Sequence, residues 1–149
     1  MPNGETDICF EIRTEALEPV VGEITRQEVA AHPETGATVS FEGWVRNSHK
    51  GRGVTSLSYS AYGRLADNEG HAILREAVDM YGLTFARAIH RTGDLAVGEM
   101  SIWILAGAAH RGTAFDACRY LIEEMKQRLP VWKHEFYDDG SDEWVHAGA

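Results

Sequence analysis

The chain has 149 residues, a length that one domain can fill, and its 44% hydrophobic and 25% charged residues are typical of a globular protein. Its formal net charge of -9 argues against general binding to nucleic acids or anionic membranes, which requires a basic surface. No apolar run reaches membrane-spanning length, and the first ten residues lack the basic and apolar regions of a signal peptide, so we expect a cytoplasmic protein.

The first part of the chain predicts a strand, a short helix and two further strands. Ile8–Arg13 is expected to form the first strand. A capping box, Thr-Arg-Gln-Glu, predicts a helix over residues 25–31. Apolar residues alternate over 39–45 and again over 55–61, which predicts two half-buried strands. The polar, glycine-containing loop 46–53 between them has a length that suits a β-hairpin.

The middle of the chain predicts a helix followed by two strands. Apolar residues recur at helical spacing over 65–81, and Gly82 is expected to cap this helix at its C-terminus. Phe85–Arg91 predicts a strand, and residues 92–94 a turn. Met100–Ala108 is apolar on both faces, as in a central strand.

The last part predicts a long helix and a short strand. The helix is expected over residues 111–129 and ends before Pro130, because the residue before a proline avoids helical angles. Val131–Tyr137 follows as a strand, and residues 143–145 are expected to dock a tail. This order of elements predicts a single α+β domain over residues 1–149, a two-layer sandwich with a mixed, mostly antiparallel sheet.

The sequence contains only three lysines, Lys50, Lys126 and Lys133, although lysine is common on protein surfaces. Two of them bracket the turn before Trp132, which suggests positioned cations and an anionic substrate. Lys126 lies at the margin of an apolar helix face, where partial desolvation lowers the pKa of an amine; alternatively, its stem only covers the core edge. If Trp132 lies in the core, as we expect, Lys133 and Glu135 share the other strand face, where the alternative is a simple solvated ion pair.

Three further cations stand at element ends. His110 and Arg111 begin the long helix, where free backbone N–H groups, a partial positive charge and the arginine fork favour phosphate oxygens. Arg46 ends a strand at the mouth of the basic loop. The alternatives are a surface salt bridge for Arg111 and an exposed hairpin arginine for Arg46. Together with the lysines, these residues predict a site for a ligand that carries phosphate or carboxylate.

The cysteines and histidines predict neither a disulfide nor a metal site. Cys9 and Cys118 are far apart and form no CxxC pair, and Cys118 lies on the apolar face of the predicted long helix. The seven histidines show no HxxxH or HxH spacing. We therefore expect free thiols, a Cys118 that packs as a small core residue, and no metal or other cofactor.

Several spaced motifs in this order resemble the large, catalytic subunit of molybdopterin synthase. They are residues 39–47 (VSFEGWVRN), 90–99 (HRTGDLAVGE), 109–111 (AHR), 114–115 (AF), Lys126, 129–135 (LPVWKHE) and 143–145 (EWV). The resemblance covers nearly the whole chain from about residue 35, and it implies an α/β hammerhead-like fold.

The resemblance also implies an activity. Such subunits add two sulfurs to cyclic pyranopterin monophosphate and so form the dithiolene of molybdopterin. The sulfur arrives as a C-terminal thiocarboxylate on a small ubiquitin-like carrier subunit, and the complex is a heterotetramer around a large-subunit homodimer. The alternative is a non-catalytic module that binds a ubiquitin-like partner. A phosphate-ester hydrolase is disfavoured, since the sequence offers no nucleophile–base pair or metal cluster.

The resemblance assigns roles to particular positions. The family's catalytic lysines fall on Lys126 and Lys133. Its substrate-contacting positions fall on Trp44, Val45, Arg46, His110, Arg111, His134 and Glu135, together with the two lysines. Arg111 and Lys126 are 15 residues apart on one predicted helix, a rise of roughly 22 Å, which is too far for one small ligand to touch both. Each pocket is therefore expected to combine Lys126 and Lys133 with His110 and Arg111 of a dimer mate.

Overall fold

The computed structural model describes residues 7–149. The expectation that no signal peptide is present depends in part on residues 1–6, which lie outside the described residues. The elements follow in the order β1 (Ile8–Arg13), α1 (Val21–Ala31), β2 (Ala37–Trp44), β3 (Ser48–His49), β4 (Arg52–Ala61), α2 (Gly63–Tyr81), β5 (Phe85–Arg91), β6 (Gly93–Ala96), β7 (Met100–Ala108), α3 (Arg111–Arg128), β8 (Val131–Tyr137) and β9 (Asp142–His146).

The strands form two sheets. The first has the order β1-β5-β7-β2, with β1 parallel to β5 and the other pairs antiparallel. The second has the order β3-β4-β8-β9, and β6 also pairs with β4; all of its pairs are antiparallel. The α+β class and the mixed, mostly antiparallel pairing are confirmed, but the strands are divided between two sheets where the sequence predicted one.

The core lies on both faces of the first sheet. Strand β7 is buried along its whole length, as its continuous apolar sequence predicted. Helices α2 and α3 cover one face with a cluster that includes Ile73, Leu121 and Met125. A smaller cluster around Trp103, which includes Leu17 and Phe85, lies against α1. Cys118 is buried in the first cluster, so its predicted role as a core residue is confirmed.

The prediction for the first helix was wrong at its start. Helix α1 begins at Val21, so Thr25 lies inside it and its hydroxyl donates to the carbonyl oxygen of Val21 at 3.0 Å. The Glu28 carboxylate is bound by Arg87 at 2.7 Å and therefore does not cap the helix. The sequence matches the capping-box pattern, but the Glu28 carboxylate forms an ion pair with Arg87 of β5.

The predicted hairpin between residues 39–45 and 55–61 was also wrong. Strand β2 pairs with β7, whereas β4 pairs with β6 and β8. The register of β2 shifts between Gly43 and Trp44, and Val45 then exchanges hydrogen bonds with the turn before β7. The chain therefore leaves the first sheet at Val45 and enters the second through β3, which forms a tight hairpin of its own with β4.

Two smaller segments differ from the sequence-based expectations. Residues 93–94, predicted as part of a turn, begin strand β6. Residues 143–145, predicted to dock a tail, lie within strand β9, which pairs with β8. Gly82 caps α2 in a left-handed conformation with φ 65°, as predicted. None of the helices described in residues 7–149 is long and apolar enough to cross a membrane.

Candidate functional site

A cleft of about 180 Å³ opens where the end of β2, the start of β7, the end of α3 and the inner face of β8 meet. The two sheets and α3 each supply one wall, so the cleft depends on the tertiary fold. Six of the residues that the sequence singled out line it: Trp44, Val45, Arg46, Lys126, Lys133 and Glu135.

Lys126 lies on the last turn of α3, at the border between this cleft and a second, smaller cavity. Its amine is 3.4 Å from the carbonyl oxygen of Ala147, which follows β9. Averaged over all its atoms, Lys126 is exposed, but its amine is surrounded by protein. This burial lowers the pKa of the amine, and the positive charge of Lys133 lowers it further. Two cationic groups therefore face the same enclosed space.

Lys133 is held by a buried carboxylate. Its amine lies 3.4 Å from Oε2 of Glu135, and both side chains are largely buried. The other carboxylate oxygen, Oε1, accepts hydrogen bonds from Nδ1 of His49 at 2.7 Å and from the hydroxyl of Tyr137 at 2.9 Å. Burial by itself raises the pKa of Glu135, but the bonds from His49 and Tyr137 and the charge of Lys133 outweigh burial, so the pKa lies below its ordinary value.

The polar side chains that the fold buries gather around this cleft. Among the described residues, the buried polar or charged ones are His90, Ser101 and Glu135. Ser101 and Glu135 line the cleft, and His90 lines the smaller cavity beside Lys126. Burial of polar groups costs free energy, and it is usually tolerated where the groups form hydrogen bonds with one another or with a ligand.

The cleft is positively charged although the chain is acidic. Its wall carries the side-chain charges of Arg46, Lys126 and Lys133 against one side-chain carboxylate, that of Glu135. Within residues 7–149, neither Arg46 nor Lys126 forms an ion pair, whereas Arg87, Arg91 and Arg128 each bind a carboxylate. A chemically suitable ligand would therefore be an anion.

His110 and Arg111 are not part of this cleft. His110 caps α3 at its N-terminus with an extended backbone, and Arg111 is the first residue of the helix, so both stand at the opposite end from Lys126. Both residues are exposed. The distance along the helix agrees with the expectation that one protomer cannot bring Arg111 and Lys126 to one small ligand.

His134 also lies outside the cleft, and the expectation that Trp132 is a core residue was wrong. Residues alternate along β8, so Trp132 and His134 share the outer face, where Trp132 is 41% exposed. His134 stacks on Trp144 with 4.5 Å between ring centroids, and its Nε2 hydrogen-bonds to Asp142. Lys133 and Glu135 do share one face, as expected, but it is the inner face, so they are not a solvated ion pair.

Several residues of the cleft were not anticipated from the sequence. They are Gly43, Ser48, His49, Leu57, Tyr59, Ser101 and Ala149. The alternation of apolar residues over 55–61 could have placed Leu57 and Tyr59 on an inner face. His49 carried only a weak signal, its position three residues after Arg46 in the locally basic loop. No group of three or more His, Cys, Asp or Glu side chains placed to hold a metal ion occurs in the described part of the chain.

Comparison with known sequences gives matches to one protein family. A model of the MoaE protein family matches residues 16–128, which include Lys126 but end before Lys133. The catalytic subunits of molybdopterin synthase from the indica and japonica subspecies of rice (Oryza sativa) are each 47% identical over 105 residues. That match covers 70% of this chain and 54% of each rice protein, so the chain spans about half the length of these relatives.

Comparison with solved structures gives the same fold. A crystal structure of molybdopterin synthase from Staphylococcus aureus superposes with a TM-score of 0.79 at 30% identity, and the match covers 91% of this chain and 96% of the other. A complex of subunits 1 and 2 of the molybdopterin-converting factor from Helicobacter pylori has a chain with a TM-score of 0.73, covering 93% of this chain and 89% of the other. At 24% identity, the second match supports the fold alone.

Proposed function

The chain belongs to the MoaE family, and on this premise we propose that it is the catalytic subunit of a molybdopterin synthase. In this role it transfers sulfur from the C-terminal thiocarboxylate of a small ubiquitin-like carrier subunit to cyclic pyranopterin monophosphate. The product is the dithiolene of molybdopterin. The whole chain acts as one catalytic domain, and we expect the reaction to take place in the cytoplasm.

One observation supports this proposal above the others: Lys126 and Lys133 line the same cleft, with Arg46 at its wall, in a chain with a net charge of -9. A thiocarboxylate and a cyclic phosphate are both anions, so their encounter in a water-poor space is opposed by mutual repulsion. Fixed positive charges remove that opposition and stabilise negative charge that develops during reaction. A cleft that only bound a protein tail would need fewer cations.

The positions of the cations suggest separate roles. Lys126, at the junction of the two cavities, would lie beside the terminal carbonyl of the carrier and the pterin carbon that is attacked. Lys133, whose amine is held by Glu135, would stabilise the developing charge or move a proton. Arg46, which has no ion-pair partner among the described residues, would bind the phosphate. Trp44 and Val45, adjacent to Arg46, would contact the pterin.

We propose further that the functional unit contains two copies of this chain. His110 and Arg111 would enter the cleft of the partner copy, because α3 holds them roughly 22 Å from Lys126 of their own chain. His134, on the outer face of β8, would contact substrate only if a second chain or the carrier completed a site there. With one carrier bound to each copy, the assembly would be a heterotetramer.

The direct test is a turnover assay with the thiocarboxylated carrier and cyclic pyranopterin monophosphate, in which the dithiolene product is measured. Lys126→Ala should lower turnover roughly 100-fold or more, as expected when a positioned charge-stabilising group is removed. Lys50→Ala is the matched control, since Lys50 is exposed in the β3–β4 turn and its replacement removes the same charge. Wild-type turnover in Lys126→Ala would reject its role, and carrier binding without product would favour the non-catalytic alternative.

The shared site can be tested by subunit exchange. Lys126→Ala and Arg111→Ala proteins, each inactive alone, should regain partial activity when they are mixed and exchange subunits. Heterodimers then contain one cleft with all its wild-type residues. Exchange must be verified by mass spectrometry of differently labelled subunits. Confirmed exchange without recovered turnover would show that the residues act within a single chain.

A further inference from the structure

The two oxygens of the buried Glu135 carboxylate have different partners. Oε2 faces Lys133 at 3.4 Å, and Oε1 accepts the hydrogen bonds of His49 at 2.7 Å and Tyr137 at 2.9 Å. Glu135 comes from β8, whereas His49 comes from β3, the short strand that follows the segment carrying Arg46. The His49–Glu135 bond therefore ties β3 to β8 across β4, within the second sheet.

Tyr137 cannot hold Glu135 without help. A tyrosine hydroxyl has one proton, and the oxygen of Tyr137 lies 2.9 Å from Glu135 and 3.2 Å from Oε2 of Glu143, so the two carboxylates compete for that proton. The side chain of His49 has one hydrogen-bond partner among the described residues, Glu135, and is only 12% exposed. Because the carboxylate accepts, Nδ1 of His49 must carry the proton of this bond. The His49 N–H is thus the donor committed to Glu135.

Loss of this donor would not simply leave an empty space. An ionised carboxylate that is 2% exposed needs its hydrogen bonds, and without one of them it would rotate or turn toward solvent to find another. Rotation would exchange the positions of the two oxygens and remove Oε2 from Lys133. The segment with Arg46 would lose its tie to β8 at the same time.

We infer that His49 is a positioning residue for the proposed sulfur transfer: through Glu135 it fixes the amine of Lys133 in the cleft, and it holds β3, with the Arg46 segment that precedes it, close to β8. This inference depends on the proposed function for its effect on turnover. The control of the Lys133 amine by His49 does not depend on the proposed function.

Three substitutions distinguish the effect of losing the hydrogen bond from the effect of losing side-chain packing. His49→Ala removes the ring and the donor, and His49→Phe keeps a ring of similar size without a donor. His49→Asn keeps an N–H group near the position of Nδ1. We expect kcat to fall about 10-fold or more in the Ala and Phe variants, as for loss of a hydrogen bond to a charged group, with KM changed less than about 2-fold. The Asn variant should recover to within about 3-fold of wild type.

The second measurement is the acylation rate of each lysine, read by mass spectrometry after brief exposure to an amine-reactive reagent. The chain has three lysines, and exposed Lys50 is an internal reference for Lys133. The Lys133 to Lys50 ratio should rise about 3-fold or more in the Ala and Phe variants, because an amine released from an ordered carboxylate is more exposed to the reagent. The Asn variant should keep the wild-type ratio.

The outcomes are distinguishable. Ala-variant turnover within about 2-fold of wild type overturns the inference, and so does lost turnover with an unchanged Lys133 ratio, which would indicate a merely structural role. Thermal unfolding of each variant identifies any that fails to fold, and the Phe and Asn pair then decides. If the wild-type protein shows no turnover, the proposed function fails instead, and the Lys133 ratio alone decides the role of His49.

Discussion

His90 should make the stability of this protein depend on pH between neutrality and pH 4. Its imidazole is almost fully enclosed, packs edge-on against Tyr59 with 5.0 Å between ring centroids, and donates from Nδ1 to the carbonyl oxygen of Arg91 at 2.9 Å. Burial lowers its pKa to about 4, partly opposed by the bond to Arg91 and reinforced by the charge of Lys126. The ring is therefore neutral at pH 7.

The size of the effect follows from the two pKa values. In the unfolded chain the ring titrates near 6.5, so the unfolded state takes up a proton first as the pH falls, and this uptake favours unfolding. The contribution of the neutral His90 ring to the free energy of unfolding is fully present above pH 6.5 and is lost progressively as the pH falls to 4. The full loss is about 3 kcal/mol, and about 2 kcal/mol of it is already lost at pH 5.

The measurement compares wild type with His90→Leu by urea denaturation at pH 7 and pH 5. The substitution removes the bond to Arg91 at both pH values, so that loss cancels between them, while acidic groups elsewhere affect both proteins equally. The free energy of unfolding of wild type minus that of the variant should fall by about 2 kcal/mol from pH 7 to pH 5. A difference that stays constant to within about 0.5 kcal/mol would refute the reasoning.

Two further predictions concern packing and reactivity. Gly70, in the middle of α2, faces the ring of Phe10, and a Cβ at this position would overlap that ring; Gly70→Ala should therefore lower the free energy of unfolding by about 1–3 kcal/mol in urea denaturation. Gly63→Ala on the same helix meets no neighbour and should be neutral or stabilising by up to about 1 kcal/mol, so equal effects at both positions would contradict the packing argument. Burial raises the pKa of the Cys118 thiol to about 11, and we expect this thiol to react with a disulfide reagent at pH 8 only as fast as the chain unfolds. Rapid labelling of Cys118 in the native protein would show that the thiol is accessible.

Local periodicity carried most of the fold prediction. Strand β7 and helix α2 were recognisable because an apolar run or an apolar helical face is a property of neighbouring residues. The start of α1 and the partner of β2 were missed because each is decided by distant residues. Arg87 of β5 takes the glutamate of the apparent capping box, and the turn before β7 captures Val45. Such competition cannot be seen in a sequence window.

The candidate site shows the same division. Lys126 and Lys133 were predicted from their rarity and their positions at element ends, and they do line one cleft. The faces of β8 were assigned with the wrong side inward, because Trp132 is large and apolar, whereas the carboxylate of Glu135 is satisfied inside by His49 and Tyr137. His49 itself could not be ranked from sequence, since its importance arises from a contact 86 residues away.

The cations of this chain differ in whether the fold gives them a carboxylate partner and in where they lie. Arginines that brace the fold have carboxylate partners, as Arg87 has Glu28 at 2.7 Å. Arg46, Arg111 and Lys126 have no such partner among residues 7–149, although the chain carries 23 acidic residues against 14 lysines and arginines. Lys50, Arg64 and Arg119 also form no ion pair in this part of the chain, so it is position in the cleft or at the helix end that distinguishes the other three. Unpaired cations that face a cleft or stand at a helix N-terminus are available to an anion from outside the chain, and this availability is what the proposed transfer between two anionic substrates requires.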